Sequence, residues 1–166
     1  MTPEERSHVM ALVIVPGRES LSKHEFLAEF GATDGEALGL DLLRDAIARR
    51  DPVDVELALV VCSKFGFSDG HVSLLVSLAV ADWHQRHEDV AMALGSLRSP
   101  ESVEALAHLA KWVPTYLEYD TARALATKAI WALGSINVDA SRKVLASLMF
   151  SDDRVVAENA KAQMEK

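Results

Sequence analysis

A stretch of this chain occurs twice, 39 positions apart. Residues 90–109 overlay residues 129–148 without a gap, and eight of the 20 positions are identical, with Ala93–Ser96 falling on Ala132–Ser135. A shorter match at an offset of 35 places Asp54–Val55 on Asp89–Val90. A unit of this length cannot bury its apolar surface alone, so the repeat predicts units that stack on one another and share a core.

The spacing of the apolar residues predicts helices throughout the chain after residue 20. Leu38, Leu42, Leu43, Ala46 and Ile47 recur at intervals of three and four, which places them on one face of a helix. Capping signals mark several helix starts, such as Ser22 followed by Glu25, and Asp51 followed by Pro52. The predicted helices lie at about 23–30, 36–47, 53–65, 68–81, 88–97, 100–112, 120–136, 138–149 and 152–164.

These helices predict an all-α fold, a right-handed α-α superhelix of about four stacked helix pairs. The expected organisation is an N-terminal extension over residues 1–20 and one helical repeat domain over residues 21–166.

The apolar run Val9–Val15 has seven residues, which is too short to span a bilayer. The preceding segment Thr2–Arg6 is net negative, unlike the start of a secretory signal, so we expect a cytoplasmic protein without a membrane span. Three interpretations of the run stay open: a short strand, a first helical turn, or an extension ahead of the domain.

The chain carries 17 basic and 25 acidic residues, a formal net charge of −8, which argues against a nucleic-acid partner. The acidic excess lies mostly in residues 1–82, with 14 acidic and 7 basic residues. This excess serves solubility, or it attracts a basic protein partner and speeds association. The single cysteine, Cys62, excludes a disulfide framework and is expected to be a buried small apolar residue.

Two segments carry more aromatic and charged residues than packing requires: residues 82–89 and residues 114–120. Each joins the second helix of one predicted pair to the first helix of the next, and equivalent connections in a stacked array lie along one edge. Aromatic and charged side chains at such an edge are typical of protein interfaces. The predicted partner-binding residues are Asp82, Trp83, His84, His87, Glu88, Tyr116, Glu118, Tyr119 and Asp120, and Asp152 and Asp153 continue the row.

A catalytic or metal-binding role has less support in the sequence. His84 and His87 could share one helical face as metal ligands, but no motif fixes a third ligand, so capping and loop packing are the preferred interpretation. No phosphate-binding loop, dinucleotide fingerprint or nucleophile motif occurs. We therefore expect no metal, cofactor or catalytic residue. Trp112 and Trp131 are expected in the core.

The period of 35–39, with two helices per unit and the pattern Asp-Val…Ala-Leu-Gly, resembles HEAT repeats, in particular the short bacterial HEAT-like kind, over residues 36–164. Residues 82–89, 114–120 and 129–134, with Phe65–Phe67, are similar to a group of small bacterial HEAT-repeat proteins suggested to be toxin-immunity proteins.

This resemblance implies a non-enzymatic module, monomeric when free, that neutralises a cognate toxin by binding its basic domain. The alternatives are a general scaffold or adaptor and, ranked lowest, a bilin-lyase-like enzyme.

Overall fold

In the computed structural model, which describes residues 1–13 and 20–166, every regular element is helical. The described residues form ten α-helices, α1 to α10 in chain order, and three 3₁₀ turns, Asp69–His71, Pro100–Ser102 and Thr115–Leu117. The predicted all-α class is confirmed. Contacts between helices divide the chain into two compact units, Met1–Gly70 (unit 1) and His71–Lys166 (unit 2).

Unit 1 contains four helices: α1 (Pro3–Ala11), α2 (Lys23–Glu29), α3 (Gly35–Arg49) and α4 (Pro52–Phe65). The Ser22–Glu25 capping box and the Asp51 cap form as the sequence predicts. Helices α3 and α4 pack along each other, and α1 lies against α4. One cluster of the core in unit 1 consists of Val9, Leu12, Phe26, Leu57 and Val61.

Helix α1 lies in the segment expected as an extension. Its start has a capping box, in which the Thr2 hydroxyl accepts the Glu5 amide and the Glu5 carboxylate accepts the Thr2 amide. Of the apolar run Val9–Val15, the first three residues close α1, and Val9 is fully buried. Its last two residues lie outside the described ranges. A Thr-Pro-Glu-Glu start is itself a helix signal, which sequence reasoning passed over.

Unit 2 contains six helices: α5 (Val72–Ala79), α6 (His87–Leu97), α7 (Val103–Leu109), α8 (Ala124–Ile136), α9 (Asp139–Leu148) and α10 (Arg154–Met164). They pack as two rows, with α6, α8 and α10 in one and α5, α7 and α9 in the other. The 39-residue repeat corresponds to α6–α7 and α8–α9. Close approach within the first row depends on Gly95, where a Cβ would lie 2.9 Å from the Ala132 Cβ.

Helix α8 begins later than the sequence predicted, at Ala124 rather than at residue 120. The reason is local. The Asp120 carboxylate accepts hydrogen bonds from the Ala122 and Ala124 amides (3.0 and 2.7 Å), and Arg123 adopts a left-handed backbone with φ of 53°. Asp120 therefore acts as a cap several residues ahead of the helix.

Candidate functional site

Three connections of unit 2 join a helix of the α5 row to the next helix of the α6 row. They are residues 80–86, residues 110–123 and residues 149–153, and together we call them the aromatic edge. Contacts link each to the next: His87, at the start of α6, is hydrogen-bonded to the Tyr116 hydroxyl at 2.8 Å, and Arg123 pairs with Asp153 at 2.9 Å. The connections are therefore neighbours in space.

Two histidines fix the first connection from inside. His84 and His87 are both buried, and their rings stack with centroids 4.1 Å apart. The His84 Nδ1 accepts the Arg86 amide (3.0 Å), so its Nε2 carries the proton and donates to the Leu78 carbonyl (2.8 Å). The His87 Nε2 donates to the Ala81 carbonyl (2.7 Å), and its Nδ1 accepts from Tyr116. Both nitrogens of each ring are thus hydrogen-bonded, and the bonds fit a neutral imidazole.

Burial disfavours the charged form of both rings. It lowers the pKa of His84, and it lowers the pKa of His87 to about 4. The carbonyl of Ala81 opposes the shift at His87, whereas His84 and His108 add to it. At neutral pH the pair is therefore uncharged, and it holds the connection by hydrogen bonds and stacking alone.

A groove of about 370 Å³ opens beside the stacked histidines. Its walls include three aromatic side chains, Trp83, Trp112 and Tyr116, and His84 and His87 also line it. Trp112 meets His87 edge-on at 4.8 Å and stacks on His108 at 5.3 Å. Sequence reasoning placed Trp112 in the core, but in the structure it is half-buried and lines this groove.

The second connection carries an aromatic side chain that projects into solvent. Tyr119 is 88 % exposed, and Glu118 beside it is exposed as well. Of the remaining predicted residues, Asp120 caps the approach to α8, and Glu88 forms an ion pair with Lys128 that links α6 to α8. The predicted set therefore divides into side chains that stabilise the edge and side chains that face outward.

The third connection adds a residue that sequence reasoning missed. Phe150 is 86 % exposed, and Asp152 follows it closely. Asp153 caps α10 through the Val155 and Val156 amides. Each connection of the aromatic edge thus carries an aromatic side chain with a carboxylate within two residues. Phe150 could have been found by searching the third connection, which follows α9, for aromatic residues as residues 114–120 after α7 were searched.

Trp131 corrects another expectation. It was predicted in the core, but it is 54 % exposed on α8, and its indole N–H donates to the Asn159 side chain at 3.0 Å. The face of α8 that packs inward is occupied by Ala129, Ile130 and Leu133 instead. Cys62 is buried as predicted, and burial raises the pKa of its thiol to about 12.

Unit 1 contains a charge cluster that sequence reasoning did not identify. Asp54 is fully buried, and its carboxylate accepts from Arg6 (2.8 Å), Arg49 (2.5 Å) and the Met1 amino group. Burial acts to raise the pKa of Asp54, but these donors outweigh it and lower the pKa to about 2. Asp54 lies on α4 and Arg6 on α1, so their ion pair holds α1 against α4.

Within residues 1–13 and 20–166, no group of three or more His, Cys, Asp or Glu side chains is placed to hold a metal ion. In the same residues, none of the helices has the length and apolar character needed to cross a bilayer. Comparison with protein-family models, with curated proteins and with solved structures finds no match to this chain.

Proposed function

We propose that this chain is a non-enzymatic protein-binding module that neutralises a bacterial toxin in the cytoplasm by direct contact. The observation that carries the proposal is the aromatic edge of unit 2. Trp83, Tyr119 and Phe150 lie on three neighbouring connections, and Tyr119 and Phe150 are almost fully exposed. Aromatic side chains are enriched in protein interfaces, where they serve as anchors that the partner covers.

The stability of the edge supports a binding role. The first connection is fixed by His84 and His87, the second by the Asp120 cap, and the third by the Arg123–Asp153 pair. A surface whose backbone is fixed before binding loses less conformational entropy on association. The exposed aromatic side chains are thus presented on a rigid support, as interface anchors require.

Charge supports a basic partner. Each connection of the edge has an aromatic side chain with a carboxylate next to it or two residues away: Asp82 beside Trp83, Glu118 and Asp120 around Tyr119, and Asp152 after Phe150. Unit 1 adds 13 acidic against 7 basic residues. Toxins that cleave nucleic acids are basic because their substrate is anionic, so an acidic module attracts them at long range and competes with the substrate.

The proposal requires a toxin gene beside the gene for this chain. Co-expression with that toxin is expected to restore growth, and the purified proteins are expected to form a complex. Replacing both Tyr119 and Phe150 by alanine is expected to weaken the complex at least about tenfold, since exposed aromatic anchors carry most of such binding energies. Isothermal titration calorimetry measures the change, and growth rescue reports it in cells.

Matched controls separate the edge from the rest of the surface. Met92 on α6 is 56 % exposed and lies outside the edge, so Met92→Ala is expected to leave affinity unchanged. Glu118→Lys is expected to slow association, whereas Glu165→Lys, the same charge change after the far end of α10, is not. A chain that neither binds the toxin nor restores growth would overturn the proposed function.

A further inference from the structure

We infer that a second groove of unit 2, at the ends of α8 and α10, binds a phosphate group, as a small phosphate ester or as the free ion. Its walls include Asn137, Arg142, Gln163 and Lys166. The groove has a volume of about 140 Å³, several times the volume of one water molecule in the liquid, about 30 Å³. The aromatic edge precedes α8 and α10, whereas this groove lies where they end, so it is a separate site.

The Arg142 guanidinium is held at this groove through one of its nitrogens. Its Nε donates to the Asn137 side-chain oxygen at 2.9 Å, and both residues line the groove. Asn137 follows the last residue of α8, and Arg142 lies near the start of α9. Within residues 1–13 and 20–166, Arg142 has no other hydrogen bond or ion pair. Its two terminal nitrogens therefore keep their N–H groups for a ligand.

A second cation lies at the same groove. The Lys166 ammonium donates to the Gln163 side-chain oxygen at 3.3 Å. That oxygen lies over Gly134 in the wall of the groove, since a Cβ added to Gly134 would be 2.4 Å from it. The hydrogen bond therefore brings the ammonium to the groove. Like Arg142, Lys166 has no carboxylate partner in the part of the chain that the structure describes.

No carboxylate of the lining balances these two cations. Among the described residues that line the groove, none is an aspartate or a glutamate. The carboxylates nearest in sequence, Asp139 and Glu165, are exposed and do not line it. The end of a helix attracts cations, which accounts for basic side chains beside the last turn of α8. Such a role needs no cavity, whereas here two cations line a cavity and keep unused donors.

The charges and the donors favour a phosphate group over a carboxylate. A phosphate monoester carries close to two negative charges at pH 7.5, because its second pKa is about 6. It therefore balances Arg142 and Lys166 together, whereas a carboxylate balances one of them. A guanidinium can bind two phosphate oxygens through parallel N–H bonds, and a lysine ammonium binds phosphate as a point charge. The groove supplies one group of each kind.

The test uses the full chain without a partner protein and follows its backbone amide signals in ¹H–¹⁵N correlation spectra at pH 7.5 and constant ionic strength. The probes are glycerol 3-phosphate, inorganic phosphate and acetate. Glycerol 3-phosphate is expected to shift the signals of residues 134–145 and 163–166 with a dissociation constant of about 1 mM, and to leave residues 80–86 unmoved. Acetate, with one charge, is expected to bind at least about threefold more weakly. The order of glycerol 3-phosphate and inorganic phosphate tells whether an ester or the free ion is the better ligand.

Two neighbouring cations of α9 provide a matched control. Arg142→Gln is expected to lower the affinity for glycerol 3-phosphate about three- to tenfold, because it removes the guanidinium fork. Lys143→Gln removes the same charge one position along, but Lys143 does not line the groove, so its affinity should change less than about twofold. Both side chains are exposed, and the same spectra show that each variant is folded. No shift with glycerol 3-phosphate, equally tight binding of acetate, or equal losses in the two variants would overturn the inference.

Discussion

Asp54 in unit 1 and Asp89 in unit 2 occupy matching positions of the repeat, each followed by valine, yet their surroundings differ. Asp54 is fully buried and bound by two arginines, whereas the Asp89 side chain is 48 % exposed and pairs with Arg86 one turn away. The difference comes from α1, which brings Arg6 over Asp54. Matching positions of the repeat therefore lie at the same place along their helices. Contacts with residues outside the repeat determine whether the side chain at such a position is buried.

The two units also differ in the kind of polar group that they bury. Unit 1 buries a charge, and its donors compensate the cost of taking that carboxylate out of water. Unit 2 buries the neutral pair His84 and His87. Because the first needs a deprotonated carboxylate and the second needs deprotonated imidazoles, the two units should respond to acid in different pH ranges.

The largest effect is expected from Asp54→Ala. Removing the buried carboxylate takes away one acceptor of Arg6, which keeps Asp51, and one of Arg49, which keeps Asp45. Breaking a buried pair costs about 3–5 kcal/mol. We expect about 3 kcal/mol, the lower end, because both arginines are partly exposed and can turn to water. Asp89→Ala, its repeat equivalent, is expected to change the free energy of unfolding by less than about 1 kcal/mol. Urea denaturation of the two variants measures the contrast.

Equal losses for the two variants would contradict the difference that we draw between the units. A double variant, Asp54→Ala with Arg6→Met, provides a further check. If the carboxylate and Arg6 act as a pair, the loss in the double variant should be smaller than the sum of the losses of Asp54→Ala and Arg6→Met, although Arg6→Met also removes the ion pair of Arg6 with Asp51 (2.8 Å).

Acid should destabilise unit 2 first. His87 has a pKa of about 4 in the folded chain, against 6.5 when unfolded, so the unfolded state binds more protons between these values. The contribution of neutral His87 to the free energy of unfolding is fully present above pH 6.5 and is lost as the pH falls toward 4. The loss between pH 7 and pH 4.5 amounts to about 2 kcal/mol. Asp54, with a pKa of about 2, loses its contribution only below about pH 4.

Hydrogen exchange of backbone amides at pH 7 and pH 4.5 tests this order when rates are corrected for intrinsic exchange. Protection should fall in α6 and in the first connection while α4 keeps its protection. In a His84→Asn, His87→Asn variant, the loss of protection in unit 2 over this range should shrink. Loss of protection in α4 before α6 would show that the histidines do not determine the acid response.

The helices of both units could be predicted from the sequence because their signals are local. The spacing of Leu38 to Ile47, the Ser22–Glu25 box and the Asp51–Pro52 start predicted α2, α3 and α4 closely. The overlay of residues 90–109 on residues 129–148 likewise predicted that α6 and α8 would be neighbours. In each case the residues that carry the signal are the residues that form the structure.

The environments of individual side chains could not be predicted in this way. Trp131 has apolar neighbours in sequence, but the rotation of α8 turns it outward. Asp54 is covered by an arginine 48 residues away, and no pattern joins the two. The partner-binding role of the edge stays a prediction, although the predicted His84 and His87 prove to be internal supports and Phe150 joins the exposed set.

The smallest effect tests whether the two copies of the repeat within unit 2 also differ. A Cβ on Gly95 would lie 2.9 Å from the Ala132 Cβ and 3.1 Å from its Cα, so the backbones of α6 and α8 must separate. A Cβ on Gly134, its equivalent, mainly meets the flexible Gln163 side chain.

Alanine stabilises a helix by about 1 kcal/mol relative to glycine, and overpacking costs about 1–3 kcal/mol. Gly95→Ala should therefore lower the free energy of unfolding by about 1 kcal/mol, and Gly134→Ala should leave it unchanged or raise it slightly. Thermal denaturation of both variants decides, because equal shifts would mean that the tight α6–α8 contact does not depend on Gly95.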